Sequence, residues 1–72
     1  MIKRHLLEAR MKEQQVKPID IMNVLGMKNY QTLHKRLTGK KEFSLFEVNK
    51  IRKYLNLTPE QADEIFYYDV EF

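Results

Sequence analysis

Apolar positions recur at helical spacing in five short runs along this chain, and each run is bounded by residues that suit a helix end. Ile2, Leu6 and Ala9, with Leu7 and Met11 beside them, predict a first helix over about residues 2–15. Glu8 and Lys12 stand four apart in the favourable order and would brace it. The pattern breaks at Val16-Lys17-Pro18, because proline fits the first turn of a helix but not its interior. A second helix over 18–25 turns Ile21, Val24 and Leu25 inward and leaves Ile19 and Met22 unassigned. Gly26 follows its last periodic residue, where a left-handed backbone is expected.

A third helix over 29–38 opens on Asn29, a good N-cap. Leu33 and Leu37 form its inner stripe, with Tyr30 one turn before. Gln31, His34, Lys35 and Thr38 fall on another face that has nothing apolar to bury, so that face is expected in solvent. Gly39 to Phe43 reads as a loop. The fourth helix, 44–55, opens with a capping box of Ser44 and Glu47, and Phe43 is placed to staple it. Its stripe is Leu45, Val48, Ile51 and Leu55, with Phe46 and Tyr54 near the edges. The fifth helix, 58–66, carries a threonine cap at Thr58, then Pro59, then Gln61 closing a second box. Ala62, Ile65 and Phe66 point inward.

The tail Tyr67–Phe72 alternates apolar and acidic residues. It reads as a short edge strand or as an extension of helix 5. Two roles fit it: packing on its own core, or pairing with the tail of a second copy. The expected fold is all-α, a single-domain five-helix bundle over residues 1–72.

Composition narrows the function classes. The chain has 72 residues and no cysteine, so disulfides and thiolate metal sites are out. Nothing resembles a signal peptide or a membrane span, and a cytoplasmic location is the expectation. There is no glycine-rich phosphate loop, no nucleophile with a plausible base and no carboxylate pair in a likely cleft. No enzyme, cofactor or small-molecule substrate is therefore expected. His5 and His34 show no ligand spacing.

Charge adds direction. Thirteen basic residues against ten acidic leave a net charge of +3, but the distribution is uneven. Lys3, Arg4, Arg10, Lys12, Lys17, Lys28, Lys35, Arg36, Lys40 and Lys41 precede Ser44, opposed mainly by Glu8, Glu13 and Asp20. Beyond Ser44 acids dominate. A basic front half fits a polyanion-facing surface.

Two short helices joined at a glycine, the second carrying His34, Lys35 and Arg36, make a helix-turn-helix candidate. The candidate DNA contacts are Lys28, Asn29, Tyr30, Gln31, His34, Lys35, Lys40 and Lys41. Gln31 suits base reading, because its amide matches adenine's two major-groove groups; the alternative is an ordinary exposed glutamine. Asn29 is a helix cap or a contact, and Tyr30 a core-edge residue or a thymine-methyl contact. Lys35, Lys40 and Lys41 suit phosphates; the alternative is a solubilising patch. Arg36, beside Leu37, is expected to support the fold partly by pairing with an acid. Arg10 is expected to bridge helix 1 to an acid such as Glu47.

The order of these pieces resembles the small phage Cro/repressor-type, or lambda-repressor-like, helix-turn-helix domains. The resembling parts are Leu25-Gly26, the stretch Gln31 to Leu37, Gly39 to Leu45, the helix 4 stripe, Leu55 to Thr58, and Ile65-Phe66. The resemblance implies a sequence-specific double-stranded DNA-binding protein, a phage or prophage transcriptional regulator acting as a repressor. It would insert helix 3 in the major groove and set Lys40 and Lys41 on the backbone. A homodimer, through Tyr67–Phe72, would read two half-sites. Two departures stand out. Pro18 replaces a polar residue, often glutamine, that helps clamp a phosphate. Met22 replaces an alanine where helix 2 crosses helix 3. They motivate a second expectation: a protein-interaction adaptor on the same scaffold that has lost specific DNA binding.

Overall fold

Local chemistry at the helix ends sets the outline of the molecule. A computed structural model describes residues 2–66. Five α-helices follow one another: α1 (Arg4–Glu13), α2 (Pro18–Leu25), α3 (Tyr30–Leu37), α4 (Leu45–Tyr54) and α5 (Pro59–Phe66). No strand occurs among the described residues. The expected edge strand or helix extension over Tyr67–Phe72 lies outside them.

The caps form as the sequence implies. The Ser44 hydroxyl accepts the Glu47 N–H at 3.1 Å, and the Glu47 carboxylate accepts the Ser44 N–H at 2.9 Å. Thr58 and Gln61 repeat the exchange at the start of α5. Gly26 ends α2 in the left-handed region, at φ 72°, where only glycine sits without steric cost. Gln15 and Asn56 take the same conformation after α1 and α4, at φ 58° and 54°.

These ends allow tight reversals, and the apolar faces meet. α2 lies against α3 and α4, while α5 lies against α1 and α4. Leu7, Ile21, Leu33, Ile51, Leu55 and Ile65 are almost fully buried. Each contributes roughly 1.5–3 kcal/mol through removal from water. Across the α1–α4 junction, the Gln14 side-chain amide donates to the Leu55 carbonyl at 2.6 Å. The Cα radius of gyration is 11.3 Å, close to the ~11 Å of a compact chain this long.

Several inward positions differ from the periodic reading. α1 is shorter than 2–15, because the Lys3 N–H donates to Ile65 O at 2.8 Å and ties that end to α5. Its buried pair is Leu7 and Met11, with Ile2 and Leu6 packed at the margin and Ala9 exposed. Glu8 pairs with Arg4 at 3.4 Å, not with Lys12. Met22 joins Ile21 in the core, while Val24 and Leu25 are only partly buried. α2 has two neighbours, α3 and α4, so adjacent side chains can both be buried. Leu45 and Tyr30 are exposed. Each is the first residue of its helix and stands beyond the layer that Val48 and Leu33 bury one turn later. Phe43 meets α5 edge-on at Phe66, with ring centroids 5.5 Å apart. Leu57, which no periodic run included, is buried in the α4–α5 connection.

Candidate nucleic-acid interface

α3 separates its faces cleanly. Leu33 and Leu37 are buried, while Tyr30, Gln31, His34, Lys35 and Thr38 are exposed. Its N-terminus is fixed by the Asn29 side chain, whose Oδ1 accepts the Gln31 N–H at 2.8 Å. Asn29 therefore acts as the cap, and the residue is exposed. The Gln31 side chain makes no hydrogen bond among the described residues, so its amide is open to an external donor–acceptor pair. Tyr30 and His34, one turn apart, bring their rings to 5.8 Å at a 44° tilt. At the other end, Thr38 Oγ1 donates back to His34 O at 2.9 Å, a carbonyl that also accepts the Thr38 N–H at 3.0 Å.

The loop after α3 folds back on it. Gly39 N–H reaches Arg36 O at 3.3 Å, and Lys41 N–H reaches Lys35 O at 3.1 Å. This brings the exposed Lys40–Lys41 segment back to the end of the helix that carries Lys35. Lys28 is exposed just before the Asn29 cap. None of Lys28, Lys35, Lys40 and Lys41 has an acidic partner among the described residues. Lys12, Lys17 and Lys53 also lack one, so positive charge alone does not single out α3. What does is the combination of charge, an exposed Gln31 amide and an exposed helix face whose one aromatic, Tyr30, lies against His34.

Arg36 stands apart from this set. Its Nε donates to Glu47 Oε1 at 3.0 Å, and its Nη1 donates to Thr32 O at 3.1 Å. It joins α3 to the start of α4, as its place beside Leu37 suggests. Arg10 does not bridge to Glu47; it pairs locally with Glu13 at 3.5 Å. Burial pushes the Glu47 carboxyl up. The Ser44 N–H, the Arg36 hydrogen bond and charge, and the Ser44 hydroxyl outweigh that effect and hold it below its ordinary value.

One feature at the start of α2 escaped the sequence reading. Asp20 Oδ2 accepts the Lys17 N–H at 2.8 Å. A carboxylate thus occupies the positive end of this helix, and Pro18 supplies no N–H there. An acid three residues past a cap position was the available signal.

Among the described residues no three His, Asp or Glu side chains gather as a metal site. No described helix is long and apolar enough to cross a membrane. Comparison with family models, curated proteins and solved structures returns no match for this chain.

Proposed function

We propose that the chain is a sequence-specific double-stranded DNA-binding protein, a Cro-like transcriptional regulator that uses α2 and α3 as a helix-turn-helix. The observation that carries this reading is the exposed face of α3. It presents Gln31, His34 and Lys35 with no internal partner for the glutamine amide or the lysine. An eight-residue helix is about 12 Å long, comparable with the ~12 Å width of the major groove. In this reading Gln31 reads a base edge. Lys35, Lys40, Lys41 and Lys28 take phosphates, and His34 takes a phosphate beside them. A second copy reads the neighbouring half-site, because one short helix buries too little for specific affinity.

The occupied start of α2 shifts the weight of backbone binding. With Asp20 at that end, a phosphate there meets a negative charge. Anchoring then rests on the lysines around α3. Mobility shifts of duplex DNA test the proposal. Lys35→Ala weakens binding to every sequence and reduces the salt slope by about one. Gln31→Ala relaxes preference at one base pair, by roughly 1–3 kcal/mol. If neither changes affinity for a selected duplex, α3 is not the reading helix.

The Pro18–Asp20 arrangement also favours a second reading, an interaction adaptor on this scaffold. That protein would give no shift on random duplex even at low salt.

A further inference from the structure

Five large apolar side chains stand exposed among the described residues, and three of them belong to α4: Leu45, Phe46 and Tyr54, at 67%, 69% and 44%. Such a cluster on one element marks a surface that gains by being covered. The DNA contacts proposed for α3 and its flanking lysines leave it unused.

α4 has ten residues and is about 15 Å long. Val48 and Ile51 are its buried side, and Asn49, Lys50 and Lys53 complete its exposed side. Phe46, Lys50 and Tyr54, four apart, form one ridge along that side, and Leu45, Asn49 and Lys53 form the next. Charge here has one sign. The helix's one acid, Glu47, is partly buried and engaged by Arg36 and the Ser44 N–H. Lys50 lies over the Phe46 ring, 4.7 Å from its centroid. Neither Lys50 nor Lys53 forms an ion pair among the described residues. Apolar and cationic side chains are therefore interleaved on both ridges, with no acid between them.

That interleaving selects the occupant. A membrane would have to draw Lys50 and Lys53 in along with the apolar side chains they stand among. A second copy of α4 would set lysine against lysine. The exposed side of α5 in a second copy offers Glu60, Asp63 and Glu64, but no large apolar side chain to cover Phe46.

We propose that the exposed face of α4 docks an acidic amphipathic helix of another protein. Apolar residues of that helix, one turn apart, cover Leu45 and Phe46, and acids beside them meet Lys50 and Lys53. The face belongs to α4 alone, so the proposal stands whether or not the chain binds DNA.

Selection from a random-peptide library on the full chain tests it. Enriched peptides are expected to combine Asp or Glu with Leu, Phe or Trp at helical spacing. A synthetic copy of an enriched peptide, followed by fluorescence anisotropy, is expected to bind Phe46→Ala about thirtyfold more weakly than the parent. Its affinity for the parent is expected to fall several-fold as salt is raised. Repeating the selection on the Lys50→Glu, Lys53→Glu variant is expected to enrich basic residues in place of the acidic ones. All three positions are exposed, so both variants are expected to keep the parent's circular dichroism. No enrichment overturns the proposal, as does an acidic consensus that survives the charge reversal or a peptide that binds Phe46→Ala as well as the parent. Self-association abolished by Phe46→Ala overturns it in favour of a second copy. Binding to phosphatidylserine vesicles that depends on Phe46 overturns it in favour of a membrane.

Discussion

Arg36 and Glu47 join the exposed helix α3 to the start of α4 through a 3.0 Å bond from Nε to Oε1. Their side chains are only 20% and 15% exposed, so solvent screens the pair less than an ordinary surface ion pair. The same carboxylate accepts the Ser44 N–H. One acid thus closes a helix cap and fixes the angle at which α3 is presented.

Removing the cation should therefore cost stability. Arg36→Ala is expected to lower unfolding free energy by about 1–2 kcal/mol, read as a drop in the urea midpoint at unchanged slope. Lys35→Ala, one residue away but exposed, should stay within about 0.5 kcal/mol. Equal losses in the two variants would mean that the ion pair contributes nothing.

The pair also sets an acid dependence. The Glu47 carboxyl is held below its ordinary value, so between the folded and unfolded pKa values the unfolded chain binds more protons. Its contribution is present above the unfolded carboxylate pKa, about 4.3, and is lost as pH falls through the folded value. Urea midpoints measured across this acid range should fall less steeply in Glu47→Gln than in the parent. Identical slopes would contradict the linkage.

Met22 lies in the core where α2 meets its neighbours. Met22→Ala should destabilise by about 2–5 kcal/mol through lost burial and a residual cavity. Thermal unfolding followed by circular dichroism measures this. A neutral result would show that α2 can close onto its partners without the larger side chain.

Gln15 holds a left-handed backbone at φ 58°, which costs a side-chain-bearing residue roughly 1–2 kcal/mol. Gln15→Gly removes that cost but loosens the unfolded chain. A net gain of about 0.5–1 kcal/mol is expected in chemical unfolding. A loss would indicate that the Gln15 side chain itself contributes to the α1–α2 turn.

The helices were readable because their ends carry strong local chemistry. Ser44 with Glu47, Thr58 with Gln61, Asn29 and Gly26 each determine a boundary through bonds to nearby backbone. Leu33 and Leu37 were readable for a related reason: α3 has one apolar stripe and one place to bury it. The errors lie where local pattern is silent about neighbours. Leu7 and Ala9 stand on nearly opposite faces of α1, and its packing on α5 decides which face turns inward. Leu45 and Tyr30 fit their stripes in register, yet each precedes the layer that contacts the rest of the bundle. Leu57 is buried by a connection between helices, which no helical period describes. At the candidate site, the exposure of Gln31, His34 and Lys35 followed from spacing. The occupation of the start of α2 by Asp20 followed from a backbone bond that the apolar pattern does not encode.

The central claim, that α3 reads DNA sequence, is tested most directly by selecting bound duplexes from a random library with the full chain. The account predicts an enriched, two-fold symmetric consensus whose half-sites lie about 10 base pairs apart. Gln31→Ala should lose preference at one position in each half. Recovery of no enriched sequence, or a consensus unchanged by Gln31→Ala and Lys35→Ala, would contradict it.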